Sequence, residues 1–163
     1  MYRVSVCTNV LAPQASVWNY VSTMKGVNYE LYPVLQMTCP DMSMRISKEL
    51  VKTNTVPLFR SWLLLFCIVP VDFDDINITE VVEGKSFSER SLMALMTQWH
   101  HDRTLETSDD GTIIVDELAF TPRVRVLGCL LNLIVRFLFC HRHQRLQQCF
   151  GCSKKTTCRS TFY

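Results

Sequence analysis

The sequence predicts one α+β domain in which a curved seven-stranded antiparallel sheet wraps around a long C-terminal helix. Two observations carry this prediction. The patterns along the chain follow the order strand, helix, short helix, six strands, long helix, and the last helical segment is strongly apolar. A single sheet has to cover its apolar face, and a long apolar helix can do so. The 163 residues, 48% of them apolar, suffice for a packed core.

The first third of the chain carries one strand and two helical patterns. Residues 3–10 alternate in polarity as a strand does, and Val17, Trp18 and Val21 recur at helical spacing after Pro13. The segments are predicted, in order, as a strand (3–10), an amphipathic helix (13–24), a short helix or turn (27–32), a strand (34–39) and a long loop with local structure (40–57).

The remainder of the chain is predicted to form five strands and one helix. Apolar, β-branched or alternating patterns mark strands over 58–69, 76–84, 87–93, 97–106 and 112–120, followed by a helix over 123–149. Asp110-Gly111 is among the strongest short signals for a hairpin turn. We assign residues 1–150 to the domain and residues 151–163 to a flexible tail that contains Cys and Lys.

Charge and motifs exclude several classes of function. The net charge is only +2, which is not the concentrated positive charge of a nucleic-acid-binding protein. The glycines form no phosphate-binding pattern, and neither Gly-x-Ser-x-Gly nor His-Glu-x-x-His occurs. We therefore predict no nucleic-acid partner, no cofactor and no metal. The sequence makes no prediction of oligomeric state.

The cysteine-rich end leaves two alternatives open. The chain starts without a secretory pattern, so we expect a cytoplasmic protein whose eight cysteines stay reduced. His141, His143, Cys149 and Cys152 are zinc-ligand types, but two helical residues two positions apart point about 200° away from each other. S-acylation of the tail, with its basic residues near an anionic membrane, is the other alternative.

The apolar segment 126–140 is too short for a membrane span. A span needs about 20 predominantly apolar residues, whereas this segment is shorter and contains Asn132 and Arg136. We predict a buried helix, or one that lines an apolar cavity. The sequence leaves open whether a membrane surface is a peripheral partner of the protein.

Strand pleating predicts which side chains face the interior. Residues 98, 100, 102, 104 and 106 form a polar face, so Trp99, His101 and Arg103 should point inward. A two-residue turn at Asp110-Gly111 would pair Arg103 with Leu118 and His101 with Phe120, and would place Asp116 diagonal to Arg103. Glu89 on the neighbouring strand would join them. A slip of one residue would exchange His101 for His100 and Asp116 for Glu117.

These inward groups allow three interpretations. Buried charges must be paired, so Glu89, His101, Arg103 and Asp116 form a satisfied network under the helix in the first. In the second they orient a bound ligand, and in the third His101 acts as a base while Arg103 or Glu89 positions a substrate. Apolar pockets with a few polar groups are mostly binding sites, so binding is favoured over catalysis.

Four local motifs resemble one known superfamily. They are Pro13-x-x-x-Val17-Trp18, Phe87-x-Glu89-x-Ser91, Trp99-x-His101-x-Arg103 before a Gly turn, and Phe139-x-His141-Arg142-His143-x-x-Leu146. Together with the element order over residues 1–150, they resemble the helix-grip fold of the START/Bet v 1-like (SRPBCC) superfamily, and the last motif resembles bacterial ligand-binding members. The superfamily includes polyketide cyclases and lipid-transfer proteins, and none of these motifs is a catalytic signature.

The resemblance implies binding of a small hydrophobic molecule between the sheet and the last helix. The expected ligand is a lipid, sterol, polyketide or isoprenoid. The alternative is a cofactor-independent cyclase or dehydratase in the same cavity, with His101, Arg103 and Glu89 as its catalytic residues. The predicted ligand-binding residues are Phe87, Trp99, His101, Arg103, Asp116, Leu118, Phe120, Leu130, Ile134 and Phe137, with Leu131 and Leu138 on the same helix.

Overall fold

A computed structural model describes residues 1–52 and 57–162 of the chain. For residues 52, 153–155 and 160–162 it describes the backbone alone. The described part contains nine strands and four α-helices. They are β1 (Tyr2–Val10), α1 (Gln14–Val21), α2 (Met24–Leu31), β2 (Leu35–Met37), α3 (Lys48–Lys52), β3 (Phe59–Leu65), β4 (Val69–Ile76), β5 (Ile78–Val82), β6 (Ser86–Met93), β7 (Met96–Ser108), β8 (Gly111–Pro122), α4 (Gly128–Phe150) and β9 (Cys152–Phe162).

The strands form one curved antiparallel sheet with α4 packed against it. Their order is β2-β3-β4-β6-β7-β8-β1-β9, and β5 pairs with β6. A short 3₁₀ turn at Arg125–Leu127 leads into α4. The predicted α+β class with a sheet around a long C-terminal helix is therefore confirmed, with nine described strands in place of seven.

One extra strand arises from a break in the predicted strand over 58–69. Phe66 and Cys67 both have positive φ angles, 50° and 63°, and turn the chain into β4. The predicted strands over 58–69 and 76–84 leave most of β4 unassigned, because Asp72 and Asp74 look like turn residues in the sequence. In the structure these two side chains are buried and alternate with Phe73, as strand residues do.

The other extra strand is β9, where we predicted a flexible tail. It pairs antiparallel with β1, for example Val6 with Cys158. Without β9, the backbone of β1 would present an unpaired sheet edge, and pairing removes that exposed edge. The division of the chain at residue 150 stays a prediction. The long loop predicted over 40–57 contains α3, and residues 53–56 lie outside the described residues.

The β7–β8 hairpin differs from its predicted register by two residues. Ser108 pairs with Gly111, so the turn residues are Asp109 and Asp110 rather than Asp110-Gly111. Arg103 consequently lies directly opposite Asp116. A shift of two residues keeps every side chain on its predicted face, because strand side chains alternate with period two. The inward orientation of β7 is thus confirmed.

Helix α4 packs two apolar clusters against the sheet. Leu146 belongs to the cluster around Trp18 and Phe87, and Phe139 belongs to the cluster around Trp99. Residues Arg125–Phe150 are long and apolar enough to cross a membrane by length and composition, but α4 is the core helix of this fold. Toward the C-terminal end of α4, the buried stripe continues from Phe139 to the polar residues Arg142 and His143.

Candidate functional site

A cavity of about 580 Å³ lies between the sheet and α4. Its volume is within the range of about 300–1,000 Å³ that is typical of small-molecule sites. Most of its lining is aliphatic or aromatic. The ionisable side chains among its described lining residues are Asp72, Asp74, Glu89, His101 and Arg142.

Behind the cavity wall, Arg103 is fully buried between two carboxylates. Its Nε and Nη2 atoms donate to Asp116 at 2.6 and 2.7 Å. Nη1 and Nη2 also donate to the two carboxylate oxygens of Glu30, each at 3.0 Å. Burial lowers the pKa of Arg103, but the two carboxylates more than reverse this, so its charge is secure. The guanidinium has no edge left for a ligand.

Helices α2 and α4 contribute the next pair. Glu30 on α2 also accepts from Arg142 Nε at 2.9 Å, and the Arg142 guanidinium lies over the Phe139 ring, 4.7 Å from its centroid. Burial raises the pKa of Glu30, but the charges of Arg103 and Arg142 outweigh burial and lower it. The pair fastens α2 to α4 beside the cavity.

His101 connects this network to the cavity. Its Nε2 atom lies 3.1 Å from Asp116 Oδ1, and its Nδ1 atom lies 3.5 Å from Glu89 Oε2. Burial lowers the pKa of His101, but the charge and hydrogen bond of Asp116 raise it above its ordinary value. The imidazole packs between the Phe87 and Phe139 rings, with centroids 5.3 and 5.2 Å away.

Asp74 combines burial in the cavity wall with one oxygen atom that forms no hydrogen bond within the described part of the chain. It is 4% exposed, and its Oδ1 atom has no hydrogen-bond partner among the described residues. Burial raises its pKa well above the ordinary value, and the nearby charge of Glu89 adds to this. Glu89 is held ionised instead, since His101 and a 2.7 Å hydrogen bond from Ser91 offset its burial and lower its pKa. Burial therefore favours the protonated form of Asp74, and its Oδ1 atom remains without a hydrogen-bond partner among the described residues.

Within the network of Arg103 and its ion-pair partners, the charges balance when His101 is protonated; Asp72 lies outside this network and accepts backbone hydrogen bonds instead. Arg103 and Arg142 offset Glu30 and Asp116, and the imidazolium offsets Glu89. His143 adds a contact from its Nε2 to Asp116 Oδ2 at 2.9 Å. A network whose charges balance does not attract a charged ligand. An uncharged polar group on a ligand can still bind at Asp74.

The structure divides the predicted site residues into two groups. The predicted residues that line the cavity are Phe87, Glu89, Trp99, His101, Leu131, Ile134, Phe137 and Leu138. Arg103, Asp116, Leu118 and Phe120 are buried behind the wall, and Leu130 is 54% exposed on the outer side of α4. Direct ligand contact by this second group stays a prediction, and the function proposed below does not use it.

Sequence reasoning missed Glu30, Asp74, Arg142 and His143. The sequence feature that could have identified them is a polar residue at a position where the helix or strand spacing predicts a buried, apolar one. Arg142 and His143 follow Phe139 by three and four residues, so they continue the buried stripe of α4. Glu30 sits likewise between the buried residues of α2.

The predicted zinc-ligand types at the end of α4 have other contacts. His143 contacts Asp116, as described, and His141 Nε2 lies 3.0 Å from the carbonyl oxygen of Tyr32. All eight cysteines are free thiols. Among the described side chains, no group of three or more His, Cys, Asp or Glu is placed so that it could hold a metal ion.

Comparison with known proteins identifies the fold. The profile of a family described as "Domain of unknown function (DUF8410)" matches residues 8–150. No curated protein matches the chain. Among solved structures, an aromatase/cyclase from a Streptomyces species is 11% identical, with a TM-score of 0.65 over 91% of this chain and 93% of that one.

Two further structures agree with that fold. A START superfamily protein from Mycobacterium smegmatis is 13% identical, with a TM-score of 0.60 over 92% of this chain and 97% of that one. Protein CV1439 from Chromobacterium violaceum is 12% identical, with a TM-score of 0.66 over 94% of this chain and 100% of that one. The fold is therefore START/Bet v 1-like, as the sequence motifs predict.

Proposed function

From the premise that the chain belongs to the DUF8410 family, we propose that it binds a small, largely apolar molecule that carries one hydroxyl group. The single observation that carries this proposal is the cavity of about 580 Å³, apolar except for one group of ionisable side chains. The START superfamily and aromatase/cyclase names of its structural neighbours are consistent with such a ligand. We place the protein in the cytoplasm, where cysteines such as its free thiols stay reduced.

The hydroxyl group follows from the state of Asp74. Its Oδ1 atom is a buried acceptor that has no partner among the residues that the structure describes, and such an atom costs about 1–3 kcal/mol unless it is satisfied. A ligand hydroxyl would donate to it once the carboxyl group, which lines the cavity, turns this buried oxygen toward the ligand. A ligand carboxylate cannot donate, and it would lie near ionised Glu89. Sterols, isoprenoid alcohols and hydroxylated polyketides or lipids meet this requirement, whereas free fatty acids do not.

A cyclase or dehydratase is the second candidate, favoured by the position of His101 in the cavity wall. Both of its ring nitrogens face carboxylates, at 3.1 and 3.5 Å, and its pKa is raised. A protonated imidazole cannot accept a proton. His101 can therefore act as a base only if its contacts with Asp116 and Glu89 open. Binding is the better-supported function. Turnover of a bound compound that His101→Ala abolishes while binding persists would establish the enzyme instead.

The test uses three matched probes: farnesol, farnesoic acid and the hydrocarbon farnesene. We expect farnesol to raise the Tm of the protein and to displace a fluorescent apolar dye more strongly than the other two. Asp74→Val, which removes the acceptor, should weaken farnesol binding about tenfold and leave farnesene binding unchanged.

Asp74→Asn is the control, because an amide keeps an oxygen acceptor and can still donate to Glu89. It should retain the preference for farnesol. The proposal fails if none of the three probes raises the Tm or displaces the dye. The hydroxyl assignment fails if Asp74→Val weakens the alcohol and the hydrocarbon equally.

A further inference from the structure

The mouth of the cavity is surrounded by exposed apolar side chains. Five described residues both line the cavity and remain at least 38% exposed, which places them at its opening: Phe66, Val71, Leu95, Ile134 and Phe137. They come from the β3–β4 turn with the start of β4, from the β6–β7 turn and from the first half of α4. These three segments therefore meet at one end of the molecule.

The apolar surface extends beyond the rim. Ile68 and Val126 are 78% and 86% exposed, although neither lines the cavity. We define the mouth face as residues 61–71, 91–98 and 123–138. Large contiguous apolar patches are rare on monomeric soluble proteins and mark interaction sites.

The charges of the mouth face have one sign. Its only charged residues are Arg123, Arg125 and Arg136, and it contains no Asp or Glu. Asp72, which follows the first segment, is buried and accepts hydrogen bonds from the β6–β7 turn. Arg125 and Arg136 form no ion pair within the described part of the chain. Three arginines exceed the net charge of +2, so the rest of the chain is net negative.

We infer that the mouth face docks on the surface of a lipid bilayer that contains anionic lipids. The exposed apolar side chains enter the boundary between headgroups and acyl chains, and the arginines contact the anionic headgroups. A second copy of the chain fits less well, because a two-fold contact brings the same patch of each copy together and sets the arginines against one another.

Docking in this orientation places the cavity mouth against the acyl chains. A bound apolar molecule then passes between the cavity and the bilayer without crossing water. This exchange step rests on the function proposed above, whereas docking itself is a property of the surface and is testable without any ligand.

Vesicle sedimentation tests the inference with the full chain. The vesicles consist of phosphatidylcholine alone, or of equal parts phosphatidylcholine and phosphatidylserine. We expect binding to the anionic vesicles that weakens as salt is added. Replacing both Ile68 and Val126 by Ser should reduce the partition coefficient at least tenfold. Arg125→Gln together with Arg136→Gln should reduce it about fivefold per arginine, for anionic vesicles only.

Matched substitutions elsewhere serve as controls. Val82→Ser removes an exposed apolar side chain from β5, and Arg3→Gln removes a positive charge from β1, so both variants should bind vesicles as the wild type does. Absence of binding to anionic vesicles would overturn the inference. So would a dimer in sedimentation velocity that dissociates when Ile68 and Val126 are replaced, since the face would then cover a second copy.

Vesicle-free farnesol binding separates the two proposals. The double variant Ile68→Ser, Val126→Ser should still bind farnesol, because neither native side chain is among the described lining residues of the cavity. Loss of vesicle binding with retained farnesol binding supports docking as a distinct property. Vesicle binding without any probe binding would leave docking intact and contradict the proposed function.

Discussion

The second half of α4 buries polar side chains, whereas its first half exposes apolar ones. Arg142 and His143 are 6% and 0% exposed, while Leu133 and Phe137 are 62% and 57% exposed. Both halves reverse the usual distribution of polarity in a folded protein. These buried polar side chains have partners within the chain, Glu30 for Arg142 and Asp116 for His143. The exposed apolar residues have no such compensation, so they point to a partner outside the chain.

This difference separates what holds the fold from what performs the function. The ionic network joins α2, β7, β8 and α4, so it fixes the closed end of the cavity. The mouth is built from turns and from one helix face, where substitutions cost little stability. Substitutions in the network should therefore change folding, and substitutions at the mouth should change binding.

The largest expected effect is at Asp116. Asp116→Asn removes the negative charge shared by Arg103, His101 and His143, and leaves buried positive charge uncompensated. We expect the free energy of unfolding, measured by urea denaturation, to fall by about 3–5 kcal/mol. Glu117→Gln, one residue along on the exposed face of β8, should change it by less than about 0.5 kcal/mol. Equal effects of the two substitutions would show that the network does not hold this end together.

A smaller effect is expected at the mouth. Ile134→Trp adds bulk to a half-exposed side chain that lines the cavity opening, so farnesol affinity should fall about tenfold, with little change in Tm. Leu133→Trp is the matched control, because that exposed neighbour does not line the cavity. Dye displacement by farnesol reports both affinities. The assignment of the mouth is contradicted if the control loses as much affinity as Ile134→Trp does.

The smallest effect is the pH dependence of stability. The pKa values of Asp116 and Glu30 are lowered on folding, so their stabilisation holds above their unfolded pKa values, near 4, and is lost as the pH falls. The pKa of His101 is raised, so its stabilisation is complete below its unfolded pKa, near 6.5, and is lost as the pH rises through the folded value.

We therefore expect a stability maximum between the acidic and alkaline ranges. His101→Gln should reduce the decline on the alkaline side, and His100→Gln, on the outward face of β7, should leave the profile unchanged. Urea denaturation across the pH range measures both. An unaltered alkaline decline in His101→Gln would assign the decline to Asp74, whose pKa is also raised by burial, and would contradict the contribution of His101.

The fold was predictable wherever polarity followed the secondary structure. Alternation in β6 and β7 predicted which side chains point inward, and a two-residue error in the hairpin register left those faces unchanged. Strand β4 was missed because its buried face carries Asp72 and Asp74, which look like turn residues in a sequence. Pairing of β9 with β1 depends on an edge that becomes available only in the folded sheet.

The site was predictable only in part, because its partners are distant in sequence. The strand pairing predicted from the sequence already placed Glu89, His101, Arg103 and Asp116 close together. Glu30 lies 73 residues before Arg103 and 112 before Arg142, and local patterns carry no information on such contacts. Whether a side chain lines the cavity or lies behind its wall also depends on packing, as Arg103 shows.

Native mass spectrometry of the protein purified from its own host tests the central claim most directly. We predict a one-to-one adduct that denaturing extraction identifies as an apolar molecule with a hydroxyl group, and that is reduced in the Ile134→Trp variant. A protein that carries no adduct, and whose Tm none of the three farnesyl probes raises, would contradict the account.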